Sequence, residues 1–222
     1  MVNNRNSFEV LYKDICDCKK CPHVQSEKVG RLIEKVNLNA QAMVISEAMA
    51  ASQVRLSWVN FFDVNGNIWN TGRMLEKFLI QFGLSVYPDN QGCVYNTEIV
   101  HCFPGYTSRT DTKSIRRPTN IEVNNCIWKG FISQEIKLVS PKVIFLMWKT
   151  SYETFYEEFL MKSDFLALSK KIEDIKTTWK FDSYQWIPLI PIQHASGANP
   201  RYNGMLCDVR YISIIKEILN IG

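Results

Sequence analysis

The 222-residue chain contains no uninterrupted apolar run of about 18 residues, the length a membrane-crossing helix needs. Its first residues, MVNNRNSFEV, lack the apolar centre of a secretory leader, so the expected location is the cytoplasm. Neither sign of charge dominates: a net charge of +4 is too small to announce a polyanion partner unaided. Glycine is sparse, and none of the 10 glycines builds a phosphate-cradling loop after the first strand-like run, which argues against a nucleotide-binding small-molecule enzyme. Histidine occurs three times only. Internal repeats and low-complexity tracts are missing too. What is present is core material, 46% hydrophobic and 12% aromatic, enough for one domain over residues 1–222.

Four apolar runs rich in branched residues read as buried strands: AMVIS (42–46), VYNTEIV (94–100), KVIFLM (142–147) and WIPLIPI (186–192). Helical patterns lie between them. NTGRMLEKFLIQFG offers Asn70 or Thr71 as a cap and Gly83 as a stop, while PTNIEVNNCIWKGFISQEIKLVSP opens with a Thr119–Glu122 capping box and ends before Pro141. A third helix is expected near Ser151, and NGMLCDVRYISIIKEILN closes the chain. This alternation predicts an α/β fold, a four-stranded mainly parallel sheet flanked by helices on both faces, with residues 1–38 as a helical, cysteine-bearing extension. Ligands of such sheets gather beyond the carboxyl ends of the strands. That rule singles out Ser46 and Glu47, then Glu98, His101 and Cys102, then His194 and Ser196.

Seven cysteines are an odd number for a disulfide scaffold, and their clustering in a reducing compartment suggests metal binding or reactivity. In CDCKKCPH, Cys18 and Cys21 form a C-x2-C pair that can aim two thiolates at one centre, zinc or iron–sulfur. The other half must come from Cys93, Cys102, Cys126 or Cys207. A basic cluster, Arg109, Lys113, Arg116 and Arg117, crowds into TSRTDTKSIRRP.

Taken in order, CKKCP (18–22), ISEAMA (45–50), NTGRMLEKFL (70–79), TEIVHCFP (97–104), SPKVIFLMWKTSYETF (140–155) and HASGANPR (194–201) resemble the motifs of the iron–sulfur uracil-DNA glycosylases of the uracil-DNA glycosylase superfamily. The resemblance implies a DNA glycosylase that flips out a nucleotide and hydrolyses its glycosidic bond, leaving an abasic site. It implies Glu47 as the water-orienting carboxylate and His194 as the donor to the departing base. Cys18, Cys21, Cys102 and Cys126 would hold a structural [4Fe–4S] cluster, with Cys16 as an alternative to Cys18 and structural zinc as the alternative cofactor. Phe62 or Trp69 would stack on the base. Ser196 and Arg201, with Arg109, Arg116 and Arg117, would contact DNA. The chain is expected to act as a monomer.

One departure bears on substrate. Where the family has a pyrimidine-reading Asn, this chain has Glu98. An ionised carboxylate accepts hydrogen bonds but donates none, so it suits an amino-bearing pyrimidine better than uracil. Ordinary cytosine would be a self-destructive target, which points to a modified cytosine, such as a hypermodified phage base, and a defence role. Repair of uracil-containing DNA is the alternative, and a non-catalytic, metal-containing nucleic-acid-binding module is a third reading.

Overall fold

The structure is a computed structural model that describes residues 4–21, 36–48, 61–62, 65, 67–87, 92–107, 116–195 and 199–221. The four apolar runs form parallel strands β1 (Ala42–Ala48), β2 (Tyr95–Val100), β3 (Val143–Met147) and β5 (Ile187–Ile192). Continuous burial of β3 on both faces fits a parallel sheet covered on each side. Among the described residues the sheet has five strands, not the expected four: with β4 (Ser183–Tyr184) the order is β2-β1-β3-β5-β4. The added strand is only these two residues, paired antiparallel with β5 through a tight turn. Two exposed or half-buried residues carry no apolar periodicity, so nothing in the amino-acid pattern marks this strand.

Eight helices cover the sheet among the described residues. Helix α1 (Asn4–Asp17) inserts Phe8 into the main core, while Leu11 and Ile15 pack on Phe131. Helix α2 (Asn70–Leu79) buries Met74, Leu75, Phe78 and Leu79, and Gly83 stops the following 3₁₀ turn at φ 66°. Its N-cap position is Trp69 and lacks a side-chain cap, so neither Asn70 nor Thr71 plays that part. The Thr119–Glu122 capping box opens α3 (Asn120–Trp128), but the single long helix expected there is two. Gly130, at φ 67°, ends the first and starts α4 (Phe131–Val139).

Beyond β3, α5 (Lys149–Thr154) runs into a π turn (Phe155–Phe159), followed by α6 (Leu168–Thr178). The closing pattern also divides, into α7 (Pro200–Leu206) and α8 (Val209–Ile218). Asp208 causes the break, because its carboxylate accepts the Tyr211 N–H and caps a new helix. No helix among the described residues is long and apolar enough to cross a membrane.

Candidate active site

Parallel pairing aligns the carboxyl ends of β1, β3 and β5, and a cavity of about 280 Å³ opens there. Ser46, Glu47 and Ala48 bring the end of β1 to it, Met147 and Trp148 the end of β3, and His194 the residues just past β5. Two chemically distinct groups from distant parts of the sequence thus line one cavity. The size is near the lower limit for small-molecule pockets, suited to one flat ring system.

Glu47 Oε1 is buried and has no hydrogen-bond partner among the described residues. An unsatisfied carboxylate oxygen is costly to keep, so its persistence beside a cavity marks a group awaiting a ligand. His194 sits edge-to-face against Trp148, ring centroids 4.2 Å apart. Burial pushes its pKa down to about 4. At neutral pH the imidazole is therefore uncharged, and one ring nitrogen still carries a proton to donate. Asn199 Nδ2 donates to the His194 carbonyl at 3.2 Å, tying the start of α7 to the end of β5.

Phe61 and Trp69 form the facing aromatic wall. Phe61 adopts φ 72°, and its carbonyl accepts the Trp69 N–H at 2.7 Å. Gly72 lets α2 approach this turn, since a Cβ there would lie 2.5 Å from Phe61 Cβ. Phe62, one of the two expected stacking residues, turns away into the core and packs edge-to-face on Tyr87 at 5.2 Å. Phe61, not Phe62, lines the cavity. Only the left-handed backbone at Phe61 decides which neighbour faces in, and nothing in the sequence signals it.

Arg116 and Arg117 stand at the rim. The two guanidinium nitrogens of Arg116 donate to Glu122 at 2.8 and 2.5 Å, so its charge is already engaged by the capping box of α3. Arg117 is exposed and lies over the Trp148 ring, 5.8 Å from its centroid. Arg201 is exposed and borders a second cavity of about 440 Å³ behind His194, together with Lys149. Arg109 and Ser196 lie outside the described residues.

Glu98 is 1% exposed and pairs in register with Ser46, but it is not among the residues lining the cavity. Its strand neighbour Thr97 points the other way, towards α4, donating to Glu135 Oε2 at 2.6 Å. Tyr95 Oη at 2.7 Å and His101 Nε2 at 3.1 Å meet the same carboxylate. His101, grouped by sequence with the strand-end candidates, is thus occupied in a buried network that ties β2 to α4.

Among the described residues, which include all seven cysteines, no disulfide is formed. Cys18 packs beside Leu11, Ile15 and Phe131 at the end of α1. Asn125 Nδ2 reaches Cys21 Sγ at 3.5 Å and the Lys20 carbonyl at 3.2 Å, bringing this turn against α3. The neighbouring Cys126 is buried, and burial pushes its thiol up to about 12; the charges of Cys102, Cys21 and Cys18 add to this, against a hydrogen bond from the His101 backbone. Three chain segments therefore bring four thiols within electrostatic reach of one another. Among the described residues, no group of three or more His, Cys, Asp or Glu is arranged to hold a metal ion.

No curated protein matches the chain. A family model does: that of the uracil DNA glycosylase superfamily, over residues 33–210.

Proposed function

The chain belongs to the uracil DNA glycosylase superfamily, and from that membership we propose that it is a monofunctional DNA glycosylase acting on an extruded pyrimidine nucleotide. The observation that carries this reading is the meeting of Glu47 and His194 in one cavity, the first with an unsatisfied buried oxygen and the second uncharged. Extrusion costs a few kcal/mol of unstacking, offset by phosphate contacts and by the pocket's grip on the base. Trp69 and Phe61 flank the space where that base would lie.

Cleavage leaves positive charge on the sugar and negative charge on the departing base. Glu47 answers the first, orienting a water and stabilising the cationic sugar with its free oxygen. His194 answers the second by donating a hydrogen bond to the pyrimidine O2. A neutral donor suffices, since the base can leave as an anion and no proton transfer is required. Arg117 and Arg201, exposed on either side of Trp148, are the described cations best placed for phosphates, with Arg109 and Ser196 completing the expected DNA contacts. Arg116 serves by holding the rim against α3.

For substrate we favour a modified cytosine. Glu98 lies behind the cavity lining, paired with Ser46, which does line it; the preference rests on that side chain turning to the base, where a carboxylate accepts from an exocyclic amino group but not from a carbonyl. A hypermodified phage base, and with it a role in defence, fits that preference; uracil is the competing substrate. Cys18, Cys21, Cys102 and Cys126 are the residues that would hold a [4Fe–4S] cluster, with structural zinc as the alternative; the support is that the charges of the first three reach Cys126. Such a cluster would supply structural support, joining the end of α1 to the β2–α3 connection. Cys18 is preferred on its C-x2-C spacing from Cys21, with Cys16 as the alternative ligand.

The test is an aldehyde-reactive abasic-site assay on uracil-containing duplex and on phage DNA carrying glucosylated hydroxymethylcytosine. Abasic sites in the phage DNA are expected. Cleavage of uracil duplex alone overturns the substrate, and cleavage of neither by an iron-loaded, brown preparation overturns the activity.

A further inference from the structure

Trp148 sits where tryptophan should be unwelcome. Its backbone, φ 82° and ψ 161°, lies in a region that is essentially reserved for glycine. A bulky side chain there stores strain that a single change to glycine would remove. The surrounding structure holds it in place from both sides. Its N–H donates to the Ile192 carbonyl at 3.0 Å, and its carbonyl accepts the Tyr152 N–H at 3.1 Å and the Ser151 hydroxyl at 3.1 Å. The bond to Ile192 ties the end of β3 to the end of β5, two residues before His194. The unusual backbone therefore delivers the indole to the imidazole.

The ring is also a partition. The cavity holding Glu47 and the larger one bordered by Lys149 and Arg201 both have Trp148 and His194 on their walls. A ring serving only as core filler would be fully buried, whereas Trp148 is half-buried between two openings.

We propose that Trp148 is a positioning residue, whose indole, held at a strained strand end, fixes the orientation and the desolvated state of the His194 ring. This rests on the catalytic reading of His194 given above. The charged groups around that ring are Arg117 over the indole face, Lys149 and Arg201 in the rear cavity, and Glu47 and the Glu122-paired Arg116 in the front one. Removing the indole opens the imidazole to water from both cavities, which favours its charged form.

Two readouts on the full chain test this: titration of the His194 ring protons by NMR, and single-turnover base release from whichever DNA the abasic-site assay identifies. Trp148→Gly relieves the backbone while deleting the ring. It is expected to raise the His194 midpoint from about 4 by roughly one unit or more towards 6.5. Base release should slow about 100-fold, as a misplaced catalytic group does, with KM little changed. Trp148→Phe is expected to restore both. A glycine variant whose titration stays at about 4 overturns the proposal whatever its rate, and so does a phenylalanine variant as defective as the glycine one. Should the glycine variant fail to fold, Trp148→Leu, which keeps bulk and loses the flat ring, takes its place: a raised midpoint with slowed release supports the role, and a midpoint unmoved from about 4 overturns it. If the unaltered chain releases no base from any DNA, the glycosylase reading fails, and the titration alone decides the role of Trp148.

Discussion

Glu47 holds a desolvated oxygen that no described neighbour satisfies, and its proposed catalytic role would set function against stability at this atom. Two buried carboxylates elsewhere do meet partners: Glu135 faces three polar groups and Glu122 is gripped by Arg116 and Thr119. Glu47→Gln keeps the shape and removes the charge. Its amide orients water poorly and stabilises no cationic sugar, so single-turnover base release should fall by about 10²–10⁴-fold. Stability should move the other way or not at all, with urea unfolding shifted by roughly 0 to +1 kcal/mol, because the variant no longer buries an unpaired charged oxygen. A variant that loses stability along with activity would mean that Glu47 is a structural carboxylate whose partner lies outside the described residues.

At the level of elements, α2 positions the aromatic wall through the absence of a side chain. A methyl group at residue 72 would come within 2.5 Å of Phe61 Cβ and 2.8 Å of Ile68 Cγ1. Neither neighbour can swing aside easily, because the Phe61 carbonyl is bonded to the Trp69 N–H and Phe62 bridges to Ile68. Gly72→Ala should therefore destabilise the chain by about 1–3 kcal/mol, the ordinary cost of overpacking, despite alanine's better helix propensity. A thermal melt checks it, and an unchanged or raised midpoint would show that the Phe61 turn yields. The same elements show what is legible from residues alone. Branched apolar runs announce four strands, and the strand-end rule then finds Glu47 and His194 without any contact information. What stays hidden depends on φ. Gly130 splits one amphipathic pattern into two helices, Phe61 replaces Phe62 on the cavity wall, and Trp148 occupies a glycine conformation; none of these changes the periodicity on which strands and helices are recognised. Glu98 misses the cavity lining for a different reason. A strand position fixes which face a residue takes, not how deeply neighbouring side chains bury it.

For the molecule as a whole, the low pKa of His194 links the candidate active site to stability. Folding brings the imidazole out of water, and burial lowers its midpoint from 6.5 to about 4. Above 6.5, folded and unfolded chains both carry it neutral, and it contributes no pH dependence. Between 6.5 and about 4 the unfolded chain takes up the proton while the folded chain does not. The unfolded state then binds more protons, so the free energy of unfolding must fall as pH falls, by roughly 1.4 kcal/mol per unit from this group. Other groups titrate in the same range, so the slope of the wild-type chain alone says little. His194→Gln isolates it, since glutamine has no proton to gain. The difference in unfolding free energy between the two chains, followed by urea from pH 6.5 down to 4, should move against the wild type by roughly 1.4 kcal/mol per unit. Base release by the wild type should meanwhile show no loss with a midpoint near 6.5, because the neutral donor persists through the whole window. Two parallel stability curves, or a rate that collapses at the ordinary histidine midpoint, would mean that the imidazole is hydrated in the folded protein and that the strand-end cavity does not exclude water as the packing of Trp148 against His194 requires.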